Sequence, residues 1–187
     1  TKLSGEVEAD ETFIGGKAAN MHKEKKEARG YMDGGFGKTI VLGLKERGGR
    51  MVCYVVSDRT GKTIKPLVEK TVEKGSTLYT DLHGAYHGLY RSYNHGVVDH
   101  EMAYVWGPIH TNGCEGFWSL VKRSMRGTYV AVEPVHLHRY MAEYTFRYNE
   151  RKTNDSGRFQ TVTSGVTGKR LTYRQLTGKE RTPAWLA

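Results

Sequence analysis

The chain has 187 residues, of which 37% are hydrophobic and 26% charged, with a formal net charge of +9. That is room for one sizeable core and too little for two comfortable domains. No apolar run reaches the roughly 18 residues of a membrane span, no signal-peptide core opens the chain, and two cysteines, Cys53 and Cys114, exclude a disulfide framework or a four-cysteine zinc site. This composition suits a reducing cytoplasm.

The basic charge is unevenly spread. Residues 17–50 carry nine Lys/Arg against four Asp/Glu, and residues 151–187 carry eight against two. Clustered positive charge at a pI of about 9.5 is a nucleic-acid footprint, although a solvated basic surface gives the same total.

Residues 5–14, GEVEADETFI, read as a first strand in which Glu6, Glu8 and Asp10 alternate with Val7, Ala9 and Glu11. Acids on a strand with an apolar opposite face suggest a site. Spacing alone does not choose among Glu8, Asp10 and Glu11. Residues 15–37 are glycine-rich and mixed in charge, and predict a long loop or hairpin. Residues 38–46 and 50–57 read as two strands joined by a tight turn. Both are apolar on each face, which predicts a central place in a sheet covered by helices.

Residues 62–74 predict an amphipathic helix, with Ile64, Leu67, Val68, Thr71 and Val72 on one face and Gly75 as its stop. Ser76–Thr80 then form a short strand that delivers Asp81 at its carboxyl end, where α/β sheets place active groups. The bland reading of Asp81 is a cap for a short helix over 84–91. Residues 96–98 predict a fifth strand. Two helices follow, over 112–125 and 134–151, the second with Leu137, Tyr140, Met141, Tyr144 and Tyr148 at core spacing. Little regular structure is expected beyond Thr153, except around Thr172–Leu176.

Three strands, then alternating helix and strand, then helices, is the order of an RNase H-like (retroviral-integrase-like) α/β fold: a mixed five-stranded sheet flanked by helices. In that order the first acid lies on the first strand, the second just after the fourth, and the third on a later helix. Asp10, Asp81 and Glu115 occupy those places. Carboxylates delivered from separate elements suit hard divalent cations and two-metal phosphodiester chemistry.

The helix that begins at Asn112 carries a second signal. At about 100° per residue, Lys122 and Arg126 fall within about 20° of the Glu115 line. Trp118 and Ser119 lie toward that stripe, whereas Phe117, Leu120, Val121 and Ser124 cluster opposite. An acid for metal followed by bases for phosphate makes sense along a DNA path, although a surface salt-bridge face gives the same pattern; Trp118 stays open between core packing and stacking on a base. A capping box between Asn112 and Glu115 is the competing reading. His110, just before the helix, is placed to contact phosphate or metal. The GK[ST] triplets at 37–39 and 61–63 lack the earlier P-loop glycine, since Met32 and Val56 stand there.

DETFIGGK (10–17), TDLHGAY (80–86), HTNGCEGFWSLVKRSMRGTY (110–129) and HLHRYMAEYTFRYNER (136–151) resemble the catalytic domain of bacterial insertion-sequence transposases of the ISXO type. That group is related to the eukaryotic Merlin transposases. The resemblance implies a DDE-type transposase that cuts and joins DNA with Mg²⁺ or Mn²⁺, two ions being expected. It selects Asp10 from the first-strand acids and adds Asp81 and Glu115 as metal ligands. It keeps Asn112 as a rival or companion of Glu115 in the third catalytic place. It expects a base seven residues after the last acid, where Lys122 stands; Arg123 and Arg126, with His110 and Trp118, are the further DNA-binding candidates beside it. It also implies a homodimer on DNA in the bacterial cytoplasm, a catalytic domain over 1–152, a basic extension over 153–187, and a chain short of the usual N-terminal DNA-binding segment. Two alternatives stay open: a nuclease of the same fold without strand transfer, and a DNA-binding relic without catalysis.

Overall fold

The computed structural model describes residues 1–15, 38–98, 109–129 and 132–177. The predicted loop over 15–37, apart from its first residue, and Trp106 lie outside the described residues.

The first strand, β1 (Glu6–Ile14), is central because both of its faces find a partner layer. Val7 and Ala9 point into one core; Glu8, Asp10, Thr12 and Ile14 face the other way. β2 (Thr39–Glu46) and β3 (Met51–Val56) follow as an antiparallel hairpin, and β4 (Thr77–Asp81) and β5 (Asn94–Val98) add in parallel. The order is β3-β2-β1-β4-β5, a mixed five-stranded sheet with helices on both faces. This is the RNase H-like architecture expected from the element order. Among the described residues β3 is an edge strand rather than a central one, and helix α3 packs against it.

The first face is covered by α1 (Gly61–Thr71). Ile64 and Val68 pack with Leu42, Leu44 and Leu78 there. α1 ends earlier than its apolar spacing predicts. Val72 is already extended and bridges Leu3 in parallel. Gly75, at φ 87°, forms the turn into β4 instead of stopping the helix. The predicted helix over 84–91 is two 3-10 turns, Gly84–Tyr86 and Leu89–Arg91, separated by Gly88 at φ 91°.

The second face is covered by α2 (Asn112–Ser124) and α3 (Leu137–Asn149). Cys114, Phe117, Trp118 and Val121 of α2 meet Val41, Met51, Leu137 and Met141. Phe117 and Tyr148 touch edge-on with centroids 5.0 Å apart, which sets α3 along the Phe117 flank of α2. Leu120, expected on the buried face, is half-exposed. Asn149 locks α3 to the sheet edge: its amide bonds the Met51 backbone in both directions, at 2.8 and 2.9 Å.

The chain beyond Thr153 is more regular than expected. α4 (Asp155–Val166) is capped by Asn154, whose side chain accepts from Gly157 N at 2.9 Å. Its glycines and β-branched residues are poor helix formers, which hid it in the sequence. α5 (Tyr173–Leu176) has a Thr172–Gln175 capping box. Among the described residues, no helix is long and apolar enough to cross a membrane.

Candidate active site

β1 and β4 run in parallel with Ala9 opposite Thr80, so the next pair in register is Asp10 and Asp81. β4 stops at Asp81 while β1 continues to Ile14. The missing neighbour beyond β4 lets Glu11, on the opposite face of β1, reach the same place. Asp10, Glu11 and Asp81 each bring a carboxylate oxygen within 4.8 Å of the others.

Three partners fix these groups. The Trp118 indole Nε1 donates to Asp10 Oδ2 at 2.9 Å. The Tyr86 hydroxyl donates to Glu11 Oε1. Asp81 Oδ1 is buried and has no hydrogen-bond partner. A buried carboxylate oxygen without a donor is costly unless something positive meets it.

The electrostatics agree. Burial pushes the Asp10 carboxyl up to about 7, against the Trp118 hydrogen bond, and the Asp81 and Glu11 charges add to the rise. Burial also raises Glu11, opposed by the Tyr86 hydroxyl; Asp81 raises it further and Arg59 opposes. Acids that repel one another at the end of a sheet form a site short of positive charge. Hard oxygen donors, one of them orphaned and buried, fit Mg²⁺ or Mn²⁺.

Trp118 reaches Asp10 because Gly43 lies directly across from Asp10 on β2. A Cβ at Gly43 would collide with the indole and with the Met51 methyl. Trp118 is therefore a buried holder of Asp10 and not a surface platform for a base. Its exposure is 4%, which corrects the DNA-stacking expectation.

Glu8, two residues before Asp10, does other work. It is 1% exposed, and its carboxylate accepts from Arg47 Nε at 2.9 Å and from Cys114 N at 3.1 Å. A β1 side chain thus satisfies a free amide in the first turn of α2. Thr111 is the N-cap, without a side-chain capping bond, which replaces the capping box expected between Asn112 and Glu115. His110 joins this network through Arg47, at 3.1 Å from Nδ1, and lies 3.5 Å from Glu8. It is placed to brace the α2 start.

Asn112 and Glu115 are exposed in the first turn of α2, and Glu115 is outside the three-carboxylate cluster. Glu115 accepts from Thr111 Oγ1 at 3.5 Å. With Ser119 and Lys122 it lies on the α2 flank opposite Phe117, away from α3. Lys122 is near enough to feel the Asp10 charge. Burial lowers its pKa, Asp10 opposes that, and Arg126 and Lys38 lower it further. Lys122, Arg123 and Arg126 border one shallow surface cleft. Lys38 was not singled out by the sequence; only the fold brings it to this cluster.

The model of the ISXO2-like transposase domain matches residues 2–149. The chain belongs to this family of insertion-sequence DDE transposase domains. No curated protein and no solved structure matches the chain. Membership implies DNA as the partner of the transposase domain and divalent metal as its cofactor. The matched stretch contains β1, β4 and α2, and so every candidate residue above.

Proposed function

We propose that the domain catalyses phosphodiester cleavage at the end of an insertion sequence and then joins the freed 3′-hydroxyl to target DNA. The observation that carries this reading is the meeting of Asp10, Glu11 and Asp81 with a buried Asp81 oxygen that lacks a donor. Asp10 and Asp81 would hold two Mg²⁺ or Mn²⁺ ions, with Glu11 as an added ligand. The α2 start would complete the shell through Glu115 or Asn112. When bound, the ions supply an activated attacking oxygen and stabilise the leaving oxygen.

The chain's own residues orient the reaction. Trp118 fixes Asp10 through Oδ2. Tyr86 holds Glu11 on the far side. Lys122, with Arg123, Arg126 and Lys38, neutralises phosphates of the strand that enters along α2. A homodimer that holds two element ends fits this chemistry, since each end needs its own acid cluster.

Labelled element-end DNA incubated with the protein and Mn²⁺ tests the reading. Cleaved strands and strands joined to target are expected, and both vanish in Asp81→Asn. Cleavage without any joined product makes the enzyme a nuclease. Asp81→Asn cleaving as the natural chain does sinks the site.

A further inference from the structure

A groove of about 410 Å³ opens beside the acid cluster, and Asp81 is part of its wall. It runs between the 3-10 turns after β4 and the strand β5. Its other walls include Leu82, His87, Tyr90, His95 and Val97. Three of these apolar or aromatic side chains stand well out of the core: Leu82 is 70% exposed, Tyr90 60% and Val97 40%. Among the described residues no lysine or arginine lines the groove. The basic side chains Lys122, Arg123 and Arg126 border a different cleft, on α2.

We infer that this groove receives an unpaired nucleobase of the DNA strand next to the scissile phosphate. The inference rests on the reading of the acid cluster as the cleavage site. The chemistry of the wall selects the occupant. A phosphate requires cationic partners, and among the described residues no lysine or arginine forms the groove's wall. A planar, uncharged, aromatic group requires ring faces and apolar edges, and the groove has those. Its volume is in the range of small-ligand pockets. Asp81 belongs to both the groove and the acid cluster, so the occupant lies within a nucleotide or so of the reacting phosphate.

The rings are held for this use. His87 and Tyr90 meet edge-on, with centroids 6.4 Å apart and planes at 75°, and the Arg91 guanidinium lies over the Tyr90 ring, 5.9 Å from its centroid. Gly88, at φ 91°, makes the turn between His87 and Tyr90. His95 is anchored at the groove floor by Thr80 Oγ1, 2.9 Å from its Nε2. Burial lowers the His95 pKa, which favours the uncharged ring. Backbone phosphates therefore go to α2, and the base goes to the opposite flank of the cluster. A strand held in both places is splayed at the bond to be cut.

The test uses the full chain with Ca²⁺ in place of Mg²⁺ and two DNA probes. One is a blunt duplex; the other has a short 3′ overhang containing 2-aminopurine. The natural chain is expected to prefer the overhang by about tenfold and to quench its fluorescence by stacking. Tyr90→Ala and His87→Ala are expected to lose both, while Tyr90→Phe keeps them. Tyr90 and His87 are exposed, so neither variant endangers folding. Full preference and quenching in Tyr90→Ala overturn the inference. Cleavage of element-end DNA, read separately in Mn²⁺, distinguishes the two levels. Asp81-dependent cleavage with no overhang preference rejects the base groove alone, and a natural chain that binds neither probe rejects both.

Discussion

Trp118 Nε1 donates to Asp10 Oδ2 at 2.9 Å, across 108 residues of chain, through the gap left by Gly43. This bond orients one oxygen of a carboxylate that burial pushes toward neutrality. Trp118→Phe keeps the ring in the core and removes the donor. Hydrogen bonds to charged groups contribute about 1.5–3 kcal/mol. Asp10 should then titrate above its present value of about 7. Metal-dependent cleavage should fall by about tenfold near neutral pH and recover in part as pH rises, a profile that a purely structural loss would not give.

Gly43→Val should displace the indole by filling the space it occupies. Overpacking costs about 1–3 kcal/mol. A lower Tm is expected, with the same shift of the pH profile as in Trp118→Phe.

Stability should depend on pH through Asp10. The folded group titrates at about 7, against 3.8 for the free side chain. Between these values the folded state holds a proton that the unfolded state has released, so stability falls as pH rises through the window. Glu11, raised as well, acts in the same direction. In EDTA, Tm is expected to drop from about pH 4 to about pH 7, and Asp10→Asn should flatten the drop. Mg²⁺ should raise Tm more above the window than below it.

Asp81→Asn removes a charge that raises Asp10. Tm in EDTA at pH 8 should therefore stay level or rise. Metal-dependent cleavage should fall by at least about a hundredfold, because a hard-cation ligand is lost. A parallel loss of Tm and activity would mark Asp81 as a structural residue.

Glu8→Gln should act on the fold instead of the chemistry. It breaks a buried pair with Arg47, bonded at 2.9 Å. Removing one partner of such a pair costs about 3 kcal/mol, read from urea unfolding. Lys122→Ala is the contrasting case: folding is preserved and the salt slope of DNA binding falls by about 1.

The succession of strands along the chain, Asp81 at a strand end and the α2 helix were legible in the sequence, because each is local. Alternation marks β1, the apolar run ending at Thr80 marks β4, and the 3.6-residue spacing marks α2. The resemblance selected Asp10 from three neighbouring acids, and the family match agrees with the family that it named. The sequence set Lys122 on the Glu115 stripe of α2; its response to the Asp10 charge comes from the fold.

Only the tertiary structure shows what Glu8, Asp10 and Glu11 each do. Their roles depend on what lies across the sheet: an α2 amide for Glu8, an indole for Asp10, a tyrosine hydroxyl for Glu11. Helical spacing put Trp118 on a stripe with the bases, yet it could not see that Gly43 leaves a slot for the indole. The same limit hid the edge position of β3 and the fold's delivery of Lys38 to the basic cluster. A chain's periodicity records which face is buried, whereas the partner on that face is set by contacts a hundred residues away.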